Sequence, residues 1–92
     1  MAERDLIHSI LTAYGSRPDT LIYRVQPIRM GRMLAAPVGH SDLLACVAGR
    51  YVAIEAKSAT GRQRPEQAAF QAAVERAGGV YVLARSLSDV KF

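Results

Sequence analysis

The sequence contains no tryptophan, one cysteine and two histidines among 92 residues, and it has no long apolar run. A single cysteine, Cys46, excludes an internal disulfide framework and a zinc site built from several cysteines. Because Cys46 lies in the apolar run LLACVA, we expect it to be a small core residue. A single cysteine also favours the reducing cytoplasm as the location of the protein. No stretch approaches the roughly 20 apolar residues that span a bilayer. We therefore expect no membrane segment and no secretory signal.

Lysine is scarce as well, because ten of the twelve basic residues are arginine. The formal net charge is +4 and the isoelectric point is near 9.7. Arginine suits bidentate contact with phosphate, and an isoelectric point above about 9 is typical of nucleic-acid-binding domains. Small soluble domains that bind nothing are also often basic. The sequence has no lysine-rich block or basic tail, so any nucleic-acid footprint must be assembled by the fold.

The length and the 50% hydrophobic content predict one folded domain over residues 1–92. Apolar spacing and turn residues predict the order α-β-β-β-α-β-(α), which is typical of an α/β fold with a mixed sheet and helices on its faces. Residues 26–40, with two prolines and two glycines, are the least regular stretch and suggest a loop, part of which could form a short strand. The predicted elements are a helix at 3–14, strands at 20–25, 41–47 and 51–57, a helix at 65–77, a strand at 80–84 and a short helix after Ser86 or Ser88.

Acidic and basic side chains are placed at one end of the predicted hairpin 41–57. Counting outward from its turn at Ala48-Gly49, Asp42 and Glu55 are equally far away, so they can be cross-strand neighbours about 4.8 Å apart. Lys57 shares a face with Glu55 because side chains alternate along a strand. A shift in register of one residue would separate the two acids.

This set of residues supports two interpretations. Two carboxylates one strand apart repel each other unless a cation lies between them, and Mg²⁺ binds one or two carboxylates while leaving positions for phosphate oxygens. A lysine beside such a site can hold a water or stabilise charge on phosphate. The same residues also fit a solvated face that carries ordinary ion pairs.

Further residues extend the pattern in order along the chain. They are Gly39, Asp42, Gly49, Ile54-Glu55-Ala56-Lys57, Gly61-Arg62, Gln67 and Gly79-Val80-Tyr81-Val82. In this order and spacing, residues 39 to about 90 resemble the VRR-NUC domain, the virus-type replication-repair nuclease branch of the PD-(D/E)xK superfamily. One departure is Ser41, which stands where many members of the family have proline.

The resemblance implies a restriction-endonuclease-like fold and DNA cleavage that depends on Mg²⁺ or Mn²⁺. It implies that Asp42 and Glu55 are metal ligands together with the main-chain carbonyl of Ala56. Lys57 would position or activate the attacking water, and Gln67 would support the site from the helix. For the acid that many relatives carry on the first helix, the candidate is Glu3, whose alternative role is to favour the helix dipole.

The resemblance also implies partners. Short members of the family resemble Holliday-junction resolvases, which predicts a homodimer that acts on branched DNA in a bacterial or phage-infected cell. The loop at 30–39 is a candidate for part of the dimer contact or for a cover of the core. The candidate phosphate contacts are Arg24, Arg29, Arg32, Arg62 and Arg64.

Two alternatives stay open from the sequence. The first is a non-catalytic nucleic-acid-binding module with the same fold, which would bind DNA in a salt-dependent way without regard to metal. The second is a small interaction domain that binds no nucleic acid, which the arginine content disfavours.

Overall fold

The computed structural model describes residues 2–26, 29–34 and 36–92, and for residues 29, 30, 33 and 34 it describes the backbone alone. In chain order the elements are α1 (Glu3–Tyr14), β1 (Thr20–Arg24), β2 (Arg29–Met30), β3 (Met33–Leu34), β4 (Leu43–Val47), β5 (Arg50–Ala56), α2 (Pro65–Arg76), β6 (Val80–Ala84) and a 3₁₀ helix (Leu87–Asp89). No helix in these ranges is long and apolar enough to cross a bilayer.

The main sheet has four strands in the order β1-β4-β5-β6. The pairs β1-β4 and β4-β5 are antiparallel, whereas β6 runs parallel to β5. A parallel pair needs a crossover connection, and α2 provides it. The predicted mixed α/β fold is confirmed, and the strands of its sheet and the helices α1 and α2 occur in the predicted order, whereas the last element is a 3₁₀ helix of three residues. The stretch for which the sequence suggested a loop with a possible short strand contains two short strands, β2 and β3, which pair as a small hairpin. The restriction-endonuclease-like identity of the fold stays a prediction.

A tight turn between β4 and β5 sets the pairing of these two strands. Its residues Ala48 and Gly49 both have positive φ, 49° and 85°, as the two-residue type I′ turns of hairpins require. The resulting register places Leu43 opposite Ile54. The next step along the strands therefore places Asp42 opposite Glu55, which is the register expected from the sequence.

Helix α1 covers one face of the sheet and forms the larger core. Its buried side chains are Leu6, Ile7 and Ile10, which recur at helical spacing. They pack with the inward residues of the central strands, among them Leu43 and Ile54, both fully buried. The face of β5 that carries Ile54 thus packs in the core beneath α1.

Helix α2 covers the opposite face over a smaller area. Val74 and Phe70 of this helix pack on Ala53 and Tyr81, and the rings of Phe70 and Tyr81 meet edge to face with centroids 6.4 Å apart. Because β5 lies between two helices, its residues from 52 to 56 are buried on both faces. Glu55 is on this strand and is buried with its neighbours.

The face on the α2 side is not covered over β1 and β4. Leu21, Tyr23 and Tyr51 are 66%, 49% and 45% exposed there. Cys46, which pairs with Leu21 and Tyr51, is exposed as well. The expectation that Cys46 is a core residue was therefore wrong. Alternation along β4 turns Ala45 toward α1 and Cys46 toward the side that α2 leaves open.

Candidate functional site

The end of the β4-β5 hairpin brings Asp42 to the last residues of β5. One carboxylate oxygen of Asp42, Oδ2, accepts a hydrogen bond of 2.8 Å from the backbone N–H of Ala56. The backbone carbonyl of Asp42 accepts a second bond from the N–H of Val25, just after β1. Asp42 is consequently held between both neighbouring strands, and its carboxylate is directed along β5 toward Glu55.

Glu55 is the most enclosed charged residue in the described part of the chain, with 3% of its surface exposed. Its Oε1 atom accepts a hydrogen bond of 3.1 Å from Nε2 of Gln67 on α2. The ammonium nitrogen of Lys57 lies 3.9 Å from the same oxygen. The other oxygen, Oε2, is buried and accepts no hydrogen bond from any described residue. Buried polar atoms are seldom left without a partner. When Glu55 is protonated, its carboxyl group can form a hydrogen bond with the neighbouring carboxyl group of Asp42, and when Glu55 is ionised this oxygen is available to a ligand.

The surroundings of Glu55 favour its protonated form when no cation is bound. Burial, followed by the nearby charge of Asp42, raises the pKa of Glu55 from 4.5 to about 8, and Lys57 acts in the opposite direction. The charge of Glu3 at the start of α1 also raises this pKa, more weakly. Glu3 therefore lies within electrostatic reach of Glu55. Strongly shifted carboxyl groups beside a second acid are typical of functional sites.

The donor set fits a hard divalent cation. Asp42 and Glu55 offer carboxylate oxygens, the chemistry that Mg²⁺ and Mn²⁺ prefer, and the free Oε2 oxygen of Glu55 would gain a partner. Among the described residues, no group of three or more His, Cys, Asp and Glu side chains is assembled to hold a metal. A site with two carboxylates would be completed by other oxygens. The carbonyl of Ala56 and the carboxylate of Glu3 remain predicted ligands.

Gln67 connects the acid to the start of α2. Pro65 opens this helix, where the missing N–H of proline costs no hydrogen bond. The side-chain oxygen of Gln67 accepts a bond of 2.9 Å from the N–H of Arg64, while its Nε2 donates to Glu55. Both ends of the amide are thereby used, which fixes its orientation. Gln67 thus contacts Glu55 from α2, and its supporting role in the site stays a prediction.

Gly39 explains how α2 comes so close to the hairpin. Its φ is 77°, and a Cβ atom at this position would overlap the backbone carbonyl of Glu66 in the first turn of α2. The loop before β4 can lie directly against α2 only because this residue has no side chain. The sequence pattern included Gly39, but nothing in the sequence indicated which backbone it meets.

Lys57 is 7% exposed and follows β5 directly. Its backbone N–H donates to the carbonyl of Ala84 at the end of β6. A Cβ atom built on Gly61 would lie 3.6 Å from Cδ of Lys57, so the stem of the lysine lies along this glycine. Lysine is rarely buried unless it is paired, and Glu55 is its partner here.

Four of the five arginines that were predicted to contact phosphate have exposed side chains, and three of the four lie near the Asp42–Glu55 site. Arg62 and Arg64 are exposed in the loop that follows Lys57, and Arg24 is exposed at the end of β1 that lies nearest Asp42. Arg32 is exposed in the turn between β2 and β3. The side chain of Arg29 lies outside the described residues. Arg85, which the sequence did not single out, contacts the loop after Lys57.

Comparison with protein families and with curated sequences adds no relative to this description. No protein-family model matches the chain, and no curated protein sequence is similar to it. The likeness to VRR-NUC nucleases consequently depends on the residues and spacing given above.

Proposed function

We propose that the chain is a Mg²⁺- or Mn²⁺-dependent endonuclease of the VRR-NUC type, which hydrolyses phosphodiester bonds in branched DNA such as Holliday junctions. One observation carries the proposal. Glu55 is buried, and one of its oxygens accepts no hydrogen bond from the residues that the structure describes. Glu55 also faces Asp42 across the hairpin, and its other oxygen lies 3.9 Å from the ammonium of Lys57. A solvated ion-pair surface would leave these groups exposed, so burial disfavours that interpretation.

Each residue has a distinct part in this proposal. Asp42 and Glu55 hold the divalent cation, with the carbonyl of Ala56 as a further oxygen. The cation supplies Lewis acidity toward the phosphate. Lys57 orients the attacking water and stabilises negative charge that develops on the phosphate. Gln67 keeps the Glu55 carboxylate in one orientation through the hydrogen bond of 3.1 Å.

The exposed arginines supply contacts to the DNA backbone. Arg62 and Arg64 follow Lys57 in the chain, and Arg24 lies on the strand end beside Asp42. Contacts to phosphate position nucleic acid without reading its sequence. Selection by DNA shape, as in branched DNA, is compatible with such contacts.

Homodimerisation belongs to the same proposal. The uncovered apolar sheet face with Leu21, Tyr23 and Tyr51 supports it, because exposed apolar patches are typical of interaction surfaces. The loop at 30–39 that the sequence also suggested includes residue 35, which lies outside the described residues. Light scattering of the purified protein measures the oligomeric state, and a monomer at all concentrations tested would contradict this part.

The test of the proposal is DNA cleavage by the purified protein. Four-way junction, flap, duplex and single-stranded DNA are incubated with Mg²⁺, with Mn²⁺ or with EDTA. We expect cleavage that requires the cation and that is lost in Asp42→Asn and in Lys57→Ala. Asp19→Asn is the matched control, because this exposed acid lies beside the Ala48 turn at the other end of the hairpin.

Three results would contradict the proposal in different ways. Absence of metal-dependent cleavage on every substrate would exclude the nuclease activity. Salt-dependent DNA binding that ignores both the metal and Glu55→Gln would instead indicate the non-catalytic binding module. Full activity of Asp42→Asn would show that the protein is a nuclease but that its active site is not the one assigned to Asp42.

A further inference from the structure

The loop that follows Lys57 contains a turn at residues 58–61. The N–H of Gly61 donates to the carbonyl of Ser58 at 3.2 Å and to its side-chain oxygen at 3.0 Å. Nη1 of Arg85 donates to the carbonyls of Ser58 and Gly61, both at 2.7 Å. A single guanidinium thus joins the first and last residues of the turn by two charge-assisted hydrogen bonds, which are stronger than bonds between neutral groups.

Arg85 is itself held in place by the segment after β6. Its backbone N–H and that of Ser86 donate to Oδ2 of Asp89 at 2.8 Å and 3.1 Å. The preceding residue, Ala84, accepts the backbone hydrogen bond of Lys57 at 2.9 Å. The end of β6 therefore fastens both the main chain of Lys57 and the turn that follows it.

The turn in its fixed position borders the side chain of Lys57. Gly61 lies along the lysine stem, as the distance of 3.6 Å from a built Cβ atom to Cδ indicates. Beyond Gly61 the chain continues to Arg62, which is exposed. A displacement of the turn would remove one wall beside Lys57 and would move Arg62 at the same time.

We propose that Arg85 is a positioning residue, which fixes the turn at 58–61 so that the ammonium of Lys57 stays beside Glu55. This inference depends on the nuclease activity proposed above. Arg85 acts through Gly61 and does not touch the reacting atoms. Because a misplacement of about 1 Å can lower a catalytic rate roughly 100-fold, loss of this anchor is expected to reduce turnover more than DNA binding.

The experiment compares four full-length proteins: the wild type, Arg85→Ala, Arg85→Lys and Arg50→Ala. Arg50 is the matched control, since it is an exposed arginine at the opposite end of β5 and removes the same charge. Each protein is assayed for turnover at saturating DNA with Mn²⁺, for the DNA dissociation constant, and for amide hydrogen exchange over residues 58–64. Circular dichroism verifies that each variant is folded.

For Arg85→Ala we expect a fall in turnover of about tenfold or more with a change in dissociation constant of no more than about threefold. We also expect amide exchange in residues 58–64 to accelerate by about tenfold. Arg85→Lys keeps the charge, but its ammonium is on a more flexible stem than the planar guanidinium, so it is expected to lie between Arg85→Ala and the wild type in both measurements. Arg50→Ala is expected to match the wild type.

Three results would overturn the inference. Exchange at 58–64 that is unchanged in Arg85→Ala would mean that the turn needs no anchor. Equal losses of turnover in Arg85→Ala and Arg50→Ala would mean that the effect results from the loss of one positive charge and not from the hydrogen bonds of Arg85. Faster exchange with unchanged turnover would mean that Arg85 holds the turn but that the position of the turn does not affect catalysis. If the wild type cleaves no DNA, the proposed function fails and the catalytic role of Arg85 fails with it, whereas the exchange data still decide whether Arg85 holds the turn.

Discussion

Replacement of Glu55 by glutamine is expected to stabilise the metal-free protein, and to do so more strongly as the pH rises. The carboxyl group is buried beside Asp42, and its pKa is raised from 4.5 to about 8. The folded protein therefore binds this proton more tightly than the unfolded chain. Ionisation of Glu55 therefore lowers the stability of the folded protein. This loss of stability is absent below about pH 4.5, grows through neutral pH and is complete above about pH 8. Glutamine has nearly the same shape and carries no charge at any of these values.

The size of the effect follows from the same two pKa values. Each pH unit between them is worth about 1.4 kcal/mol, which gives an upper bound of roughly 5 kcal/mol above pH 8 and roughly 3 kcal/mol at pH 7. The amide oxygen of glutamine can still accept the bond from Gln67. Its NH₂ group would occupy the position of Oε2, which accepts no bond from the described residues, and would face the carboxylate of Asp42.

Urea unfolding of the wild type and Glu55→Gln in EDTA, near pH 5, 7 and 8.5, measures the difference in the free energy of unfolding. Groups that the substitution does not affect cancel, so we expect a difference of about 1 kcal/mol at about pH 5 that rises to several kcal/mol at about pH 8.5. The exposed Glu75 supplies the control variant, Glu75→Gln, with an expected change below about 0.5 kcal/mol at each pH.

A constant difference across this pH range, or a variant less stable than the wild type at high pH, would refute the assignment of Glu55 as a buried, unfavourably charged group. A second measurement extends the test to the cation. Mn²⁺ is expected to stabilise the wild type by binding the folded state alone, and to leave Glu55→Gln unchanged. Removal of the cation with EDTA should reverse the stabilisation.

Three further predictions concern the framework of the site. Gly39→Ala is expected to lower the free energy of unfolding, measured with urea, by roughly 3 kcal/mol or more, because the new Cβ atom overlaps the backbone of α2. Gly49→Ala, which has open space around it and a φ of 85°, should lower it by only about 1–2 kcal/mol. Gln67→Ala removes two hydrogen bonds and is expected to lower stability by about 1–2 kcal/mol, with cleavage reduced as well; unchanged values in both assays would exclude its supporting role. Leu6→Ala leaves a cavity beneath the sheet and should cost about 2–5 kcal/mol by thermal unfolding, against less than about 1 kcal/mol for the exposed Leu87→Ala.

Local sequence patterns were sufficient for most of the elements. The apolar spacing of Leu6, Ile7 and Ile10 predicted α1 with its observed bounds, and the Ala48-Gly49 turn predicted the β4-β5 hairpin. These features depend on neighbours in the chain, so the sequence contains the information directly. The two-residue strands β2 and β3 were not resolved in this way, since proline and glycine in residues 26–40 obscure any periodicity.

Burial was predicted less well than secondary structure. Cys46 was expected in the core and is exposed, because an apolar run on a strand does not reveal how far the covering helix extends. Tyr51 is exposed on the same open face, whereas Glu55 is buried on the part that α2 covers. The position of α2 over the sheet decides both outcomes, and it results from packing between residues far apart in the chain.

The sequence by itself determined that Glu55 and Lys57 share one face of a strand and that Asp42 can lie opposite Glu55. It did so because side-chain alternation and hairpin register are local rules. The tertiary structure decided that this face is enclosed and that Arg85 contacts the turn after Lys57. It also decided that one oxygen of Glu55 has no hydrogen-bond partner among the described residues. These features depend on α2 and on the end of β6, whose contacts with the hairpin span long distances in sequence. This enclosure is the main reason why the pKa of Glu55 is raised to about 8.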